Sequence, residues 1–163
     1  MKKIIFVTGG QRSGKSSFAQ ANALKLSENP VYFATARIWD EDFHERIKRH
    51  QADRGEEWEN IEEHLHLSYV KLQGRVVVLD CITLWLNNIW YMKEYDLKAS
   101  LEFARKEWDI FKEQDFTLYV VTNELGMSVH SENEASRKFA DLQGWVNQMI
   151  AKDSDEVYLL VSG

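Results

Sequence analysis

Hydrophobic residues fall into two alternating patterns along this chain. Short runs that are apolar at nearly every position predict β-strands: KIIFVT (3–8) and RVVVLD (75–80) as buried strands, and VYFAT (31–35), TLYVVT (117–122) and EVYLLVS (156–162). EWENIE (57–62) alternates apolar and polar positions and predicts a short edge strand. Between these runs, apolar residues recur every three or four positions. That spacing predicts helices over 16–27, 40–54, 84–95, 97–114 and 132–152. Continuously apolar strands that alternate with helices predict an α/β fold, a mainly parallel sheet covered by helices on both faces. With one proline, Pro30, and no linker, repeat or low-complexity tract, residues 1–163 read as a single domain.

Composition narrows the function classes. The chain has 163 residues, 44% of them hydrophobic and 28% charged, an ordinary globular balance. Its net charge of −6 argues against non-specific binding to nucleic acid or anionic membranes. No apolar run is long enough to cross a bilayer. The opening MKKIIFVTGG has four apolar residues before Thr8, too few for a signal peptide. The single cysteine, Cys81, allows no intrachain disulfide and fits a cytoplasmic setting. Trp85, Trp90 and Trp145 fall on predicted helices with more apolar surface than one small domain easily hides, which leaves a subunit contact and core packing both open.

Chemistry enters with GGQRSGKS, residues 9–16. Gly9, Gly14, Lys15 and Ser16 satisfy the pattern G-x-x-x-x-G-K-[ST]. Glycines let the backbone curl until several N–H groups face one phosphate, and the following helix adds its positive end. Lys15 then reaches the β- and γ-phosphates, and the Ser16 hydroxyl takes a Mg²⁺ site. The motif follows a predicted strand and opens a predicted helix, the context this chemistry needs. RVVVLD places Asp80 at the C-terminal edge of a parallel strand, the ligand edge of such sheets, where it reads as a magnesium or substrate ligand or as a plain helix cap. The same edge carries Thr35, Ala36, Thr122, Asn123 and Glu124, with pocket and capping roles both open for Asn123.

His50 is the second candidate. At 100° per residue, Phe43, Ile47, His50 and Arg54 fall within about 60° of helical arc. His50 therefore shares the face that carries the large apolar residues of its segment. A lone inward histidine is more often structural than catalytic. Yet a neutral imidazole is nucleophilic, and attack on the α-phosphorus of a triphosphate expels pyrophosphate. The glycine loop, Lys15 and Mg²⁺ would hold the leaving charge, with Arg54 pairing a phosphate oxygen. His44, His64, His66 and His130 form no metal-ligand cluster with cysteine.

TGGQRSGKS, VYFATARIWDEDFHERIKRHQADR, EWENIEE, VVVLDCITLWLNN and VTNELGMSVHSENEASRKFADLQGWVNQ occur in that order. Together they resemble the adenosylcobinamide kinase/adenosylcobinamide-phosphate guanylyltransferase family over nearly the whole chain. The resemblance implies a P-loop domain assembled as a homotrimer. It implies phosphorylation of adenosylcobinamide by ATP or GTP, then transfer of GMP from GTP through a GMP-histidine. The family's guanylylated histidine falls on His50. Its nucleotide contacts fall on Gly9, Gly10, Gln11, Arg12, Ser13, Gly14, Lys15 and Ser16, on Ala34, Thr35 and Ala36, on Gln51, Ala52, Asp53 and Arg54, and on Glu62 and Asp80. Partners expected on this resemblance are a corrinoid substrate and two further copies of the chain, with no nucleic acid and no membrane. The chain departs from the family pattern at Ser128 and Ser131, where glycine and proline are usual, and at Ala140, where arginine is usual. Members commonly run several residues past the last strand, and this sequence ends at Gly163. The competing readings are a small-molecule kinase with a structural His50 and a nucleotide-binding switch without transfer. The absence of an NKxD-type base-reading signal weighs against the switch.

Overall fold

The computed structural model describes residues 2–37 and 41–163, and within the second helix it describes only the backbone at Glu41, Asp42, Phe43, Arg46, Ile47 and His50. Among the described residues six strands form one sheet: β1 (Lys3–Gly9), β2 (Val31–Ala34), β3 (Glu59–Glu62), β4 (Val76–Asp80), β5 (Thr117–Asn123) and β6 (Glu156–Leu160). Their order is β3-β2-β4-β5-β1-β6, and every pairing is parallel. The helices are α1 (Lys15–Leu26), α2 (Glu41–Ala52), α3 (Ile82–Met92), α4 (Leu97–Phe111) and α5 (Glu134–Lys152). A 3-10 turn at Leu67–Tyr69, unannounced by periodicity, crosses toward β4. The predicted α/β architecture is the one observed.

The two faces of the sheet are covered unequally. On one face Ile4, Phe6, Phe33, Leu79, Leu118 and Val120 pack under α3, α4 and α5. Phe111 of α4 is the hub there. Its ring lies 5.9 Å from Phe33, 5.3 Å from Phe116 and 6.2 Å from Trp108, in tilted and edge-on geometries that aromatic quadrupoles favour. On the other face Ile5, Val7, Val78 and Val121 meet the small Ala19 and Ala23 of α1, which lets that helix lie close to the sheet. Trp58 covers the adjoining part of this face, its ring nearly perpendicular to that of Tyr32.

The structure decides two points that the pattern left open. EVYLLVS is apolar but mostly exposed, because β6 is an outer strand: Val157, Tyr158 and Leu159 are 54%, 40% and 54% exposed, while Leu160 is buried. An apolar run cannot distinguish a central strand from an edge strand that lacks its outer neighbour. Trp85 and Trp90 belong to the core, at 0% and 5% exposure, and only Trp145 of those three stands out at 46%.

The ends of the helices are set locally. Asp96 caps α4 through its carboxylate to the Ala99 N–H, and Asn133 caps α5 through its amide oxygen to the Ser136 N–H. Helix α1 begins at Gly14 with no side-chain cap among the described residues. Among those residues, too, no helix is long and apolar enough to cross a membrane.

Candidate active site

The glycine loop joins β1 to α1, and two of its glycines have steric causes. A Cβ on Gly9 would lie 2.5 Å from the Leu160 carbonyl oxygen and 2.6 Å from Ser13 Oγ. Gly14 has φ of 92°, a left-handed conformation that side chains disfavour. Among the described residues no side chain caps α1, and uncapped amides at a helix start are the kind of donor an anion suits. The nearly buried Lys15 sends Nζ back into the loop, donating to the Gly10 carbonyl at 2.6 Å and to Ser13 Oγ at 3.5 Å. Burial pulls this ammonium below the ordinary lysine range, while Cys81 and Asp80 act in the opposite sense. A phosphate at the loop would give Lys15 a fully charged partner in place of a carbonyl.

Asp80 closes the other side. Its Oδ2 accepts from Ser16 Oγ at 2.6 Å and from the Tyr32 hydroxyl at 2.7 Å. Strand β5 lies between β1 and β4, so Ser16 reaches Asp80 because α1 crosses over β5 and β4 on its way down the sheet. Burial, together with the Asp80 charge and hydrogen bond, pushes the Tyr32 phenol above its usual value, with Arg54 opposing. Tyr32 therefore stays a neutral donor to the acid.

Beside the loop opens a cleft of about 590 Å³. Gln11, Ser16, Ser17, Gln20, Tyr32, Ala34, Ala36, Asp80, Cys81, Leu84 and Asn123 line it from the sheet and α1 side, and Gln51, Asp53 and Arg54 from the end of α2. Segments far apart in sequence, 9–16, 34–36, 51–54 and 80, thus meet around one space. Glu62 joins them indirectly, accepting from Gln51 Nε2 at 2.9 Å. Thr35 does not face the cleft with its side chain. It is fully buried, donates to the Cys81 carbonyl at 2.7 Å and accepts from the Cys81 N–H at 3.1 Å, fastening β2 to the end of β4. Ala52, exposed, ends α2.

The expected helical arc through His50 is only partly described. Helix α2 spans His50, but the side chains of Phe43, Ile47 and His50 lie outside the described residues. Arg54 falls beyond the helix end at Ala52, so it does not share that arc. Its guanidinium carbon instead sits 3.5 Å from the centre of the Tyr32 ring, and its Nε and Nη2 donate to Asn60 Oδ1 at 3.1 and 2.9 Å. Asn123 lines the cleft and is no helix cap: its N–H donates to Thr83 Oγ1, and its carbonyl accepts from Asn147 Nδ2. Among the described residues no three His, Cys, Asp or Glu side chains gather as a metal site of their own.

A glycine loop, a lysine inside it and a serine–aspartate pair across one cleft describe a nucleotide site on a parallel sheet. Residues 5–163 match the family model described as cobinamide kinase / cobinamide phosphate guanyltransferase. The chain belongs to this family. It is 33% identical over 175 residues to the bifunctional adenosylcobalamin biosynthesis protein CobU of Escherichia coli strain K12, covering 98% of this chain and 96% of that one. It is also 33% identical over 162 residues to the bifunctional adenosylcobalamin biosynthesis protein CobP of Pseudomonas aeruginosa, with 96% and 92% covered. Among solved structures, an ATPase domain superimposes with a TM-score of 0.51 at 12% identity, over 97% of this chain and 69% of that one, a likeness of fold alone.

Within this family member, motif spacing does not single out Tyr32, Asn60 and Asn147. Tyr32 carries a faint signal: it lies two residues before Ala34 on β2, and a period of two puts both on the same face of the sheet. Asn60 and Asn147 are legible only in three dimensions, through the groups they hold.

Proposed function

We propose that this protein performs both reactions named by its family: it phosphorylates the hydroxyl of the cobinamide side arm, and then transfers GMP to that phosphate. What carries the reading is the single cleft lined by the end of the glycine loop, the Asp80 carboxylate and the residues that directly follow His50. In the first reaction the acceptor oxygen attacks the γ-phosphorus of ATP or GTP and the nucleoside diphosphate leaves. Lys15 and the loop amides hold the charge on the departing oxygens. In the second, a neutral His50 ring nitrogen attacks the α-phosphorus of GTP. A P–N bond forms, the bond from the α-phosphorus to the bridging oxygen breaks, and pyrophosphate leaves. An oxygen of the cobinamide phosphate then attacks the same phosphorus and frees the histidine, giving adenosylcobinamide-GDP.

Ser16 and Asp80 supply a hydroxyl and a carboxylate oxygen in contact, hard donors that would hold Mg²⁺. Held there, the ion would supply charge neutralisation at the phosphate oxygens. Gln51, Asp53 and Arg54 bring polar groups and a permanent cation to the side of the cleft opposite the loop. Glu62 orients Gln51. We further assign a homotrimer, for which the half-exposed Trp145 and the apolar outer strand β6 are the supporting features, and a cytoplasmic setting, in keeping with the lone buried thiol.

The test is mass spectrometry of the protein after incubation with GTP and Mg²⁺. The expected result is one added GMP on the peptide that holds His50, acid-labile and lost in His50→Ala. γ-Phosphate transfer to cobinamide with no covalent GMP would reduce the protein to a kinase, and a label that survives His50→Ala would remove the histidine from its role.

A further inference from the structure

Among the described residues, Tyr32 is the side chain that touches both halves of the cleft. Its hydroxyl donates to the same Asp80 oxygen that Ser16 holds. Its ring carries the Arg54 guanidinium at 3.5 Å from the centroid. Trp58 braces the ring edge-on, with centroids 6.1 Å apart and planes at 85°. The sheet register explains why these groups meet. Tyr32 pairs with Asn60 across β2 and β3, so the Asn60 oxygen that receives the edge of the guanidinium stands beside the ring that receives its face. Ala34 pairs with Asp80 across β2 and β4, and Tyr32 lies two residues earlier on the same face, within reach of that carboxylate.

We propose that Tyr32 is the positioning residue that couples the phosphate end of the site to the α2 end, setting the Asp80 carboxylate with its hydroxyl and seating Arg54 with its ring. This inference rests on the transferase reading above. Two contacts on one rigid side chain make the ends of the cleft interdependent. A ring alone would seat Arg54 and leave Asp80 with one donor fewer. A hydroxyl on a small residue would not span the distance. A guanidinium held on both its face and its edge loses the rotamer freedom of a surface arginine, so less order has to be imposed when a phosphate arrives. Because Arg54 follows His50 by four positions, the same seat also limits where the end of that helix can go.

Three variants separate the arms. Binding of a fluorescent, non-hydrolysable GTP analogue is followed as Mg²⁺ is titrated, and the single-turnover rate of covalent GMP formation is measured at saturating GTP and Mg²⁺. Thermal melts report folding. Tyr32→Phe keeps the ring and loses the hydroxyl, so the Mg²⁺ concentration at half-saturation rises several-fold. Tyr32→Leu loses both contacts: it shows the same Mg²⁺ shift and also slows GMP formation by roughly tenfold, the scale of a partly desolvated cation–π contact. Tyr32→Phe recovers most of that second loss. Arg54→Ala slows GMP formation too, and adding it to Tyr32→Leu costs little more. A melt shift in Tyr32→Leu with neither the Mg²⁺ shift nor the rate loss overturns the proposal, as does full additivity of the two changes. If the unaltered protein takes no GMP, the transferase reading fails, and the Mg²⁺ titration then decides the role of Tyr32 alone: a Tyr32→Phe curve that overlays the unaltered one rejects it.

Discussion

Burial acts on Lys15 and Cys81 in the same direction, toward the neutral form, and the two side chains flank one acid. For Lys15 the consequence is a cation whose charge is met by one main-chain carbonyl and one hydroxyl oxygen. For Cys81, burial and then the neighbouring Asp80 charge push the thiol up to about 12. Its sulfur accepts from the Leu84 N–H at 3.5 Å and caps α3. The thiolate is the reactive form, so Cys81 should resist iodoacetamide at pH 8 in the folded protein and react fully in denaturant. Rapid alkylation of the native protein, read by intact mass, would contradict the burial assigned here. The thiol is a structural cap, and the only cysteine in the chain need not be a nucleophile.

At the scale of elements, the ends of helices α4 and α5 are tied by Asp153, the residue that terminates α5. It accepts from the Trp108 indole N–H at 2.9 Å and from Lys112 Nζ at 3.0 Å. Its partial burial alone would raise its pKa, but the Trp108 and Lys112 bonds outweigh that and hold the carboxyl below the ordinary aspartate value. A depressed carboxyl stabilises the fold above its unfolded pKa, near ~3.9, and loses that contribution as pH falls through the lower folded value. Asp153→Asn should therefore cost about 1 kcal/mol of unfolding free energy at pH 7. The gap to the unaltered protein should close as pH drops below about 4. Urea unfolding at a series of pH values measures it, and a gap that does not change with pH would mean the charge is irrelevant. The loop end of the molecule is held by a different device. Buried Thr122 and Gln143 and the partly buried Asn147 form a polar cluster, and Asn147 fixes the Asn123 carbonyl at the floor of the cleft.

For the whole molecule, the unequal cover of the sheet matters most. Helices α3, α4 and α5 protect one face, and β6 stands at the rim with its apolar side chains half-exposed. Half-exposed apolar side chains on an outer strand are the kind of surface a subunit contact covers. The homotrimer proposed above predicts a scattering mass three times the 19.1 kDa of one chain at micromolar concentration. A single-chain mass would sink it.

The division between sequence and structure follows from the range of the forces involved. Local patterns were enough for the strands, for most helix positions within a few residues, for the glycine loop and for Asp80 at a strand end, because periodicity, turn chemistry and motif spacing act over neighbouring residues. They also carried the family resemblance, since its motifs are contiguous. Only the tertiary structure decided that β5 separates β1 from β4, that β6 is an edge, that Trp85 and Trp90 are core, and that Arg54 leaves the helix to lie on Tyr32. Each of these depends on which strand becomes whose neighbour. That choice is made by the burial of whole faces and by pairings between residues tens of positions apart, and no window of sequence contains it.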